Sequence, residues 1–169
     1  PFGAADYVSK PLDEKRLVSS IHSILFGKDM VLICDDNEDT QRLLREVLER
    51  HGFVARSVSD GRQVLAAAEK ERPGLILLDL KMPGLDGYAV LEQLKRDENT
   101  RQIPVIVITA SIADDQAKRE RAMSLGAASM MTKPFSIPEL VTEAKKALET
   151  RHQMGEQVVK STGKPGRKR

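Results

Sequence analysis

The stretch LILLDLKMPGLDG, residues 75–87, joins an apolar run to a polar loop and decides the fold class. Four aliphatic residues precede an acid, Asp79, and a segment with proline and two glycines follows. A short, continuous apolar run of this kind is typical of a strand that helices cover on both faces of a sheet. It therefore predicts a buried strand over 75–78 with a polar side chain at its carboxyl end.

The same alternation of strand and helix extends on both sides of this stretch. Strands are predicted over Val31–Cys34, Phe53–Val58, Leu75–Leu78, Val105–Ile108 and Ser129–Thr132, and helices over Glu38–Arg50, Gly61–Arg72, Tyr88–Arg96, Ala113–Ser124 and Ile137–Leu148. We expect Asp86 to cap the third helix, and the first helix to bury a stripe of Leu43, Leu44, Val47 and Leu48. All strands up to residue 108 are predicted to be continuous buried runs. Five such units favour an open, doubly wound α/β sheet of parallel strands over an eight-unit barrel.

Composition narrows the class of protein further. The chain has 169 residues, 40% hydrophobic and 31% charged, which is ordinary for a globular protein. Its single cysteine excludes a disulfide framework, and no apolar run reaches the roughly 18 residues that a membrane span needs. No basic, then apolar, leader opens the sequence, so we expect a cytoplasmic protein without a membrane partner. The net charge of +2 combines +5 in residues 151–169 with −3 in the rest, so we expect no nucleic-acid partner.

Residues 1–29 repeat the end of the main domain. A shift of 123 positions aligns residues 3–27 with 126–150 and gives eight identities, at Gly3, Ala4, Ala5, Lys10, Pro11, Leu17, Val18 and Leu25. We therefore interpret 1–29 as the last strand and helix of an upstream copy, 30–150 as the complete domain and 151–169 as a basic disordered tail. The apolar stripe of the upstream segment needs cover, so it is expected to pack on the domain or across a homodimer.

Polar residues stand at the carboxyl ends of four predicted strands. They are Asp35 and Asp36, Asp79, Thr109 and Lys133. Ligands of doubly wound sheets bind at this edge, and three converging carboxylates repel one another unless a hard cation such as Mg²⁺ lies among them. A lysine and a hydroxyl beside a metal suit phosphoryl oxygens, and one carboxylate can then act as a nucleophile that forms an acyl phosphate.

Four pieces of sequence resemble the receiver domain of two-component response regulators. They are ICDDNE (33–38), LILLDLKMPGLDG (75–87), VIVITAS (105–111) and GAASMMTKPF (126–135), and together they span residues 30–150 in order. The resemblance implies a five-stranded flavodoxin-like fold with strand order 2-1-3-4-5 and a cis peptide between Lys133 and Pro134. It also implies a module that is not an enzyme acting on other substrates, but that catalyses its own phosphorylation and dephosphorylation.

The resemblance assigns a role to each polar residue. Asp79 becomes the phosphoacceptor, and Asp35, Asp36, Asp79 and the main-chain carbonyl of Lys81 hold Mg²⁺. Thr109 and Lys133 bind the phosphoryl oxygens. The implied donor is a phosphohistidine on a histidine kinase or phosphotransfer protein. Partners would read the surface formed by residues 113–148, through which a homodimer is also possible.

One position departs from the family pattern. Receiver domains usually carry Tyr or Phe three residues before the lysine, as the upstream copy does with Tyr7, but here the residue is Met130. Thr109 and Met130 are therefore the candidate switch residues. Two alternatives stay open, a degenerate receiver that only binds proteins and a hydrolase with an aspartyl-phosphate intermediate. Such hydrolases usually have a second acid two residues after the nucleophile, where this chain has Lys81. The parent of this sequence is expected to be a hybrid histidine kinase or another tandem-receiver protein.

Overall fold

The computed structural model describes residues 29–110 and 115–162 of the chain. Five strands alternate with five helices along this part of the sequence. The strands are β1 (Met30–Cys34), β2 (Val54–Val58), β3 (Leu75–Asp79), β4 (Val105–Thr109) and β5 (Ser129–Thr132), and the helices are α1 (Glu38–Arg50), α2 (Gly61–Glu71), α3 (Gly87–Arg96), α4 (Asp115–Ser124) and α5 (Ile137–Thr162).

All strands pair in parallel, in the order β2-β1-β3-β4-β5. This order confirms the predicted fold class and topology. The register sets Cys34 beside Leu78, and Asp79 beside Ile108. Because neighbouring strands end at the same level, the residues that end β1, β3 and β4 meet at one edge of the sheet.

Helices cover both faces of the sheet and bury two separate apolar clusters. Alternate residues of each central strand point to opposite faces, so Val31 and Ile33 pack with α1 and α5, whereas Leu32 and Cys34 pack with α2, α3 and α4. Every residue of β3 and β4 is buried. The sheet is therefore a rigid platform that carries the loops at its carboxyl edge.

The second strand corrects one prediction. Residues of β2 alternate between exposed and half-buried up to Val58, so the predicted continuous buried run is wrong for this strand. Its position explains the pattern, because β2 forms an edge of the sheet and its Val54 is 44% exposed. A side chain at an edge meets fewer helices than one in the centre.

The helix starts are set by side-chain caps. Asn37, Asp60 and Asp86 each accept a hydrogen bond from a backbone N–H in the first turn of α1, α2 and α3, which confirms the cap predicted at Asp86. The prediction that Leu43 belongs to the buried apolar stripe of α1 is wrong, since 54% of this residue is exposed. The polar residue Gln41 is buried instead, together with Leu44.

The last helix is longer than predicted. The sequence predicts an end at Leu148 and disorder over 151–169, but α5 continues to Thr162, so that prediction is wrong for residues 151–162. No proline interrupts the segment before Pro165, and Arg151 anchors the first of the extra turns by donating to the carbonyl of Pro73 at 3.2 Å. The predicted upstream copy, apart from Asp29, and residues 163–169 lie outside the described residues. No helix within the described ranges combines the length and apolarity needed to cross a bilayer.

Candidate functional site

Three carboxylates converge at the carboxyl edge of the sheet. Asp35 and Asp36 follow β1, Asp79 ends β3, and each offers an oxygen atom within 4.8 Å of the others. Asp35 and Asp79 are buried, with 2% and 6% of their surfaces exposed, whereas Asp36 is exposed. The cluster therefore has a buried floor and an open side, as a site that exchanges ligands with solvent requires.

The backbone and one lysine hold the Asp35 side chain in place. Its Oδ1 accepts a hydrogen bond from the backbone N–H of Asn37 at 2.9 Å, and its Oδ2 lies 2.5 Å from the Lys133 ammonium. Asn37, which provides the first contact, is also the N-cap residue of α1. The start of the first helix thus orients the first acid of the cluster.

Asp79 is held in a similar way. Its Oδ1 accepts from the backbone N–H of Lys81 at 2.9 Å, and its Oδ2 lies 3.2 Å from the Lys133 ammonium. Gly87, the first residue of α3, packs so closely beneath this loop that a Cβ atom there would lie 2.7 Å from the Asp79 carbonyl oxygen. The loop of residues 80–86 is therefore folded back tightly onto the end of β3.

Burial and charge determine the protonation of these groups. Burial, the largest effect, raises the pKa of Asp79 above its usual range, although the Lys81 N–H and the Lys133 charge act against it. Burial alone would lower the pKa of Lys133, but its hydrogen bond to Asp35 and the charges of Asp79 and Asp35 together raise it. Lys133 is therefore cationic at neutral pH and offsets part of the acidic charge.

The donor set fits a hard divalent cation. Three carboxylates face a single ammonium group, so the cluster attracts additional positive charge. All ligand atoms on offer are oxygens, which Mg²⁺ prefers, and Asp36 on the open side leaves room for water molecules that Mg²⁺ keeps. The predicted role of the Lys81 main-chain carbonyl as a further Mg²⁺ ligand stays a prediction.

The structure brings the remaining predicted site residues to the same edge. Thr109 is 1% exposed at the end of β4, and its carbonyl accepts a hydrogen bond from the Lys133 N–H at 2.7 Å. The peptide between Lys133 and Pro134 is cis, as expected. Met130 is buried in β5, within the cluster on the α2, α3 and α4 side of the sheet. Of the candidate output surface 113–148, residues 115–148 are described.

Two features next to the acids were not assigned a role from the sequence. Gln41 of α1 is buried, and its side-chain amide donates to the Asp35 carbonyl at 2.6 Å. Its spacing from Leu44 and Leu48 on the helix was a signal that could have found it. Cys34, which ends a strand predicted to be buried, is buried with its thiol 3.2 Å from the Met82 sulfur. Burial, followed by the surrounding carboxylates, raises the pKa of this thiol to about 12, so it stays protonated.

Comparison with known proteins relates this geometry to one family. The family model of the response regulator receiver domain matches residues 31–145. Transcriptional regulatory protein HprR of Escherichia coli K12 is 37% identical over 122 residues, which are 72% of this chain and 52% of that protein. Response regulator PleD of Caulobacter vibrioides is 40% identical over 105 residues, 62% of this chain and 23% of that protein. The chain thus spans about half, or less, of the length of these curated relatives.

Solved structures give the same result. The receiver domain of sensor histidine kinase PA1611 from Pseudomonas aeruginosa, described with a magnesium ion in its active site cleft, has a TM-score of 0.66 and 30% identity, covering 72% of this chain and 98% of that chain. The signal receiver domain of a histidine kinase from Syntrophus aciditrophicus has a TM-score of 0.66 and 32% identity, covering 72% of this chain and 91% of that chain.

Proposed function

This chain belongs to the response regulator receiver domain family, and on that premise we propose that Asp79 accepts a phosphoryl group from a phosphohistidine. The donor is a histidine kinase or a phosphotransfer protein. The observation that carries the proposal is the contact of one ammonium group, Lys133, with two of three clustered carboxylates, Asp35 and Asp79. This arrangement leaves a negatively charged, solvent-accessible site for a metal and a phosphoryl group.

The residues divide the chemistry among them. A carboxylate oxygen of Asp79 attacks phosphorus, the P–N bond to the donor histidine breaks, and the histidine nitrogen leaves with the bonding electrons. Lys133 and the hydroxyl of Thr109 donate hydrogen bonds to the phosphoryl oxygens. Asp35, Asp36, Asp79 and the Lys81 carbonyl would hold Mg²⁺, which would offset the negative charge of both reactants.

The signal is proposed to leave through the surface of residues 113–148. Within its described part, α4 is polar, and Arg121 lies 4.0 Å above the ring of Tyr88 on α3. New charge at Asp79 would draw Thr109 and Lys133 toward the phosphoryl group and shift α4 and β5 through the buried Met130. A partner protein, or a second copy of this chain, reads the shifted surface.

The upstream segment 1–29 is part of the same proposal. Its repeat of residues 126–150 supports an origin in a tandem-receiver protein, such as a hybrid histidine kinase. The receiver domain is proposed to work in the cytoplasm. Deletion of residues 1–27 tests whether the segment joins two copies of the chain. We expect light scattering to show a dimer before the deletion and a monomer after it. A monomer before and after deletion would overturn the dimer.

Intact mass spectrometry tests the phosphoacceptor. The wild type, incubated with acetyl phosphate and Mg²⁺, is expected to gain one phosphoryl group, and Asp79→Asn is expected to gain none. Asp86→Asn is the matched control, because Asp86 is an exposed acid of the same loop and asparagine caps α3 equally well. An adduct that persists in Asp79→Asn would contradict the proposal.

A second candidate function is a receiver that only binds proteins, and Met130 is the observation that favours it. Methionine is flexible and fills space without the two discrete positions of an aromatic ring. No adduct on the wild type with acetyl phosphate and with a phosphorylated histidine donor would support this candidate.

A further inference from the structure

Gln41 is a buried polar residue that the proposed chemistry does not use. It lies on α1 with 8% of its surface exposed. Its Nε2 donates to the Asp35 carbonyl oxygen at 2.6 Å and to the Ser59 hydroxyl oxygen at 2.9 Å, with a longer contact to the Val58 carbonyl oxygen at 3.5 Å. A buried amide without partners destabilises a fold, so these contacts explain how a glutamine is accommodated in the stripe that also buries Leu44.

The contact with Asp35 acts on the acidic cluster through the backbone. The carbonyl that Gln41 holds belongs to the peptide bond between Asp35 and Asp36. The rest of Asp35 is already fixed, because its N–H donates to Val58 and its two carboxylate oxygens accept from Asn37 and Lys133. The remaining freedom at this point of the chain is the orientation of the peptide plane that leads to Asp36.

Asp36 depends on this peptide plane more than the other two acids do. Its side chain is exposed, and no described residue forms a hydrogen bond or ion pair with its carboxylate. The backbone therefore sets the direction of its Cα–Cβ bond, while its side-chain torsions stay free. A carboxylate whose backbone is already fixed loses less conformational freedom when it binds a cation, and the affinity is correspondingly higher.

We propose that Gln41 is a positioning residue for divalent cation binding. It promotes binding by fixing the Asp35–Asp36 peptide from the buried face of α1. The proposal rests on the proposed function, in which these acids hold Mg²⁺. Gln41 itself does not touch the metal. It acts on Asp36 through one hydrogen bond to the Asp35 carbonyl.

Calorimetric titration of the metal-free full chain with Mg²⁺ tests the proposal. Gln41→Met keeps the length and burial of the side chain but removes the donor, and we expect the Kd for Mg²⁺ to rise about five- to tenfold. Ser59→Ala is the matched control, because it removes the side-chain partner of the same Nε2 and leaves the Asp35 contact intact. We expect its Kd to stay within about twofold of the wild type.

A purely structural role gives a different result. In that case Gln41→Met lowers the Tm and leaves the Kd for Mg²⁺ unchanged, which overturns the proposal. The backbone amide resonance of Asp36 in the metal-free protein is a second readout, expected to move in Gln41→Met and not in Ser59→Ala. Gln41→Asn, too short to reach the carbonyl, replaces Gln41→Met if that variant does not fold.

The titration also separates this proposal from the proposed function. It needs no phosphoryl donor, so a wild type that binds Mg²⁺ but takes no phosphoryl group would contradict the phosphoacceptor and leave the test of Gln41 valid. A wild type that binds no Mg²⁺ would overturn the positioning role directly. Equal weakening in Ser59→Ala would overturn it as well, since the Asp35 contact survives in that variant.

Discussion

The Lys133 ammonium lies 2.5 Å from the Oδ2 atom of Asp35, although 98 residues separate the two along the chain. The strands that carry them, β5 and β1, are separated in the sheet by β4 and β3. Three strand spacings amount to about 14 Å, so the contact requires the segments that follow β5 and β1 to reach toward each other across β4 and β3. Lys133 therefore serves as the internal counter-charge of the acidic cluster and competes with any cation that binds there.

Replacement of Lys133 separates metal binding from phosphoryl transfer. In Lys133→Met the competing charge is gone, so we expect Mg²⁺ to bind several-fold more tightly, as measured by calorimetry. The phosphoryl oxygens lose a charged donor, so we expect phosphorylation by acetyl phosphate, followed by intact mass, to slow at least about tenfold. Lys146→Met, at a lysine of α5 whose side chain is 75% exposed, is the control and should change neither quantity. Weaker Mg²⁺ binding in Lys133→Met would contradict this account of the ammonium.

Removal of one acid is expected to stabilise the metal-free protein. Asp79 is a buried carboxylate whose pKa burial raises, so its charge opposes folding when no cation is bound. In the presence of EDTA, we expect Asp79→Asn to have a higher free energy of unfolding than the wild type, by on the order of 1 kcal/mol. Urea unfolding measures this difference.

Mg²⁺ is expected to reverse that order of stability. A ligand at a hundred times its Kd stabilises the folded state by about 2.7 kcal/mol, and Asp79→Asn loses one of the ligands. The wild type should therefore become the more stable of the two at saturating Mg²⁺. A variant less stable than the wild type in EDTA would show that Asp79 contributes a favourable charge even without metal.

Gly87 is expected to be essential for the acceptor loop. A Cβ at this position would lie 2.6 Å from the Cα atom of Leu80 and 2.7 Å from the Asp79 carbonyl oxygen, and backbone atoms cannot move aside cheaply. We expect Gly87→Ala to lower the free energy of unfolding by roughly 2–3 kcal/mol and to slow phosphorylation of the folded fraction. Urea unfolding and intact mass measure the two effects.

Gly84 provides the matched control in the same loop. Its φ is +90°, but a Cβ there would meet no atom within 4 Å. Gly84→Ala should therefore cost only the backbone strain of about 1 kcal/mol. Equal losses for the two variants would mean that the contact of Gly87 with the acceptor loop has no special weight.

The sequence predicts the central part of this fold well because burial there leaves a simple pattern. The runs over β1, β3 and β4 are apolar throughout, and helices cover both of their faces. The same reasoning failed for β2, whose sequence VARSV alternates because it lies at an edge. The order 2-1-3-4-5 implied by the family resemblance already places this strand at an edge, whereas apolar runs alone do not specify the order.

Some residues of the candidate site were predictable from the sequence, and others were not. Strand ends that carry acids, a threonine and a lysine are visible in the sequence, since parallel strands place their carboxyl ends together. The contact of Gln41 with Asp35 is less visible, because it depends on how α1 rotates against the sheet. The same rotation leaves Leu43 exposed, although its hydrophobicity placed it in the predicted stripe.

The far side of the domain offers a test based on pH. The Lys95 ammonium, on α3, donates to the carbonyls of Arg101 and Ile103 at 3.1 and 2.6 Å. Burial lowers the pKa of Lys95 from 10.5 to about 8. Between these values the unfolded chain binds the proton and the folded chain has released it, so stability contributed by this group rises with pH from about 8 toward 10.5.

Urea unfolding at pH 7.5 and pH 10, in the wild type and in Lys95→Met, isolates this contribution. Other groups titrate equally in both proteins and cancel in the difference. We expect the wild type to gain on the order of 1–2 kcal/mol relative to Lys95→Met at the higher pH, after allowance for the partial solvent exposure of Lys95. Lys146→Met, at a lysine whose side chain is 75% exposed, is the control and should show no such gain. A difference that stays constant, or falls, between the two pH values would mean that the Lys95 ammonium is as well stabilised by the two carbonyls as by water.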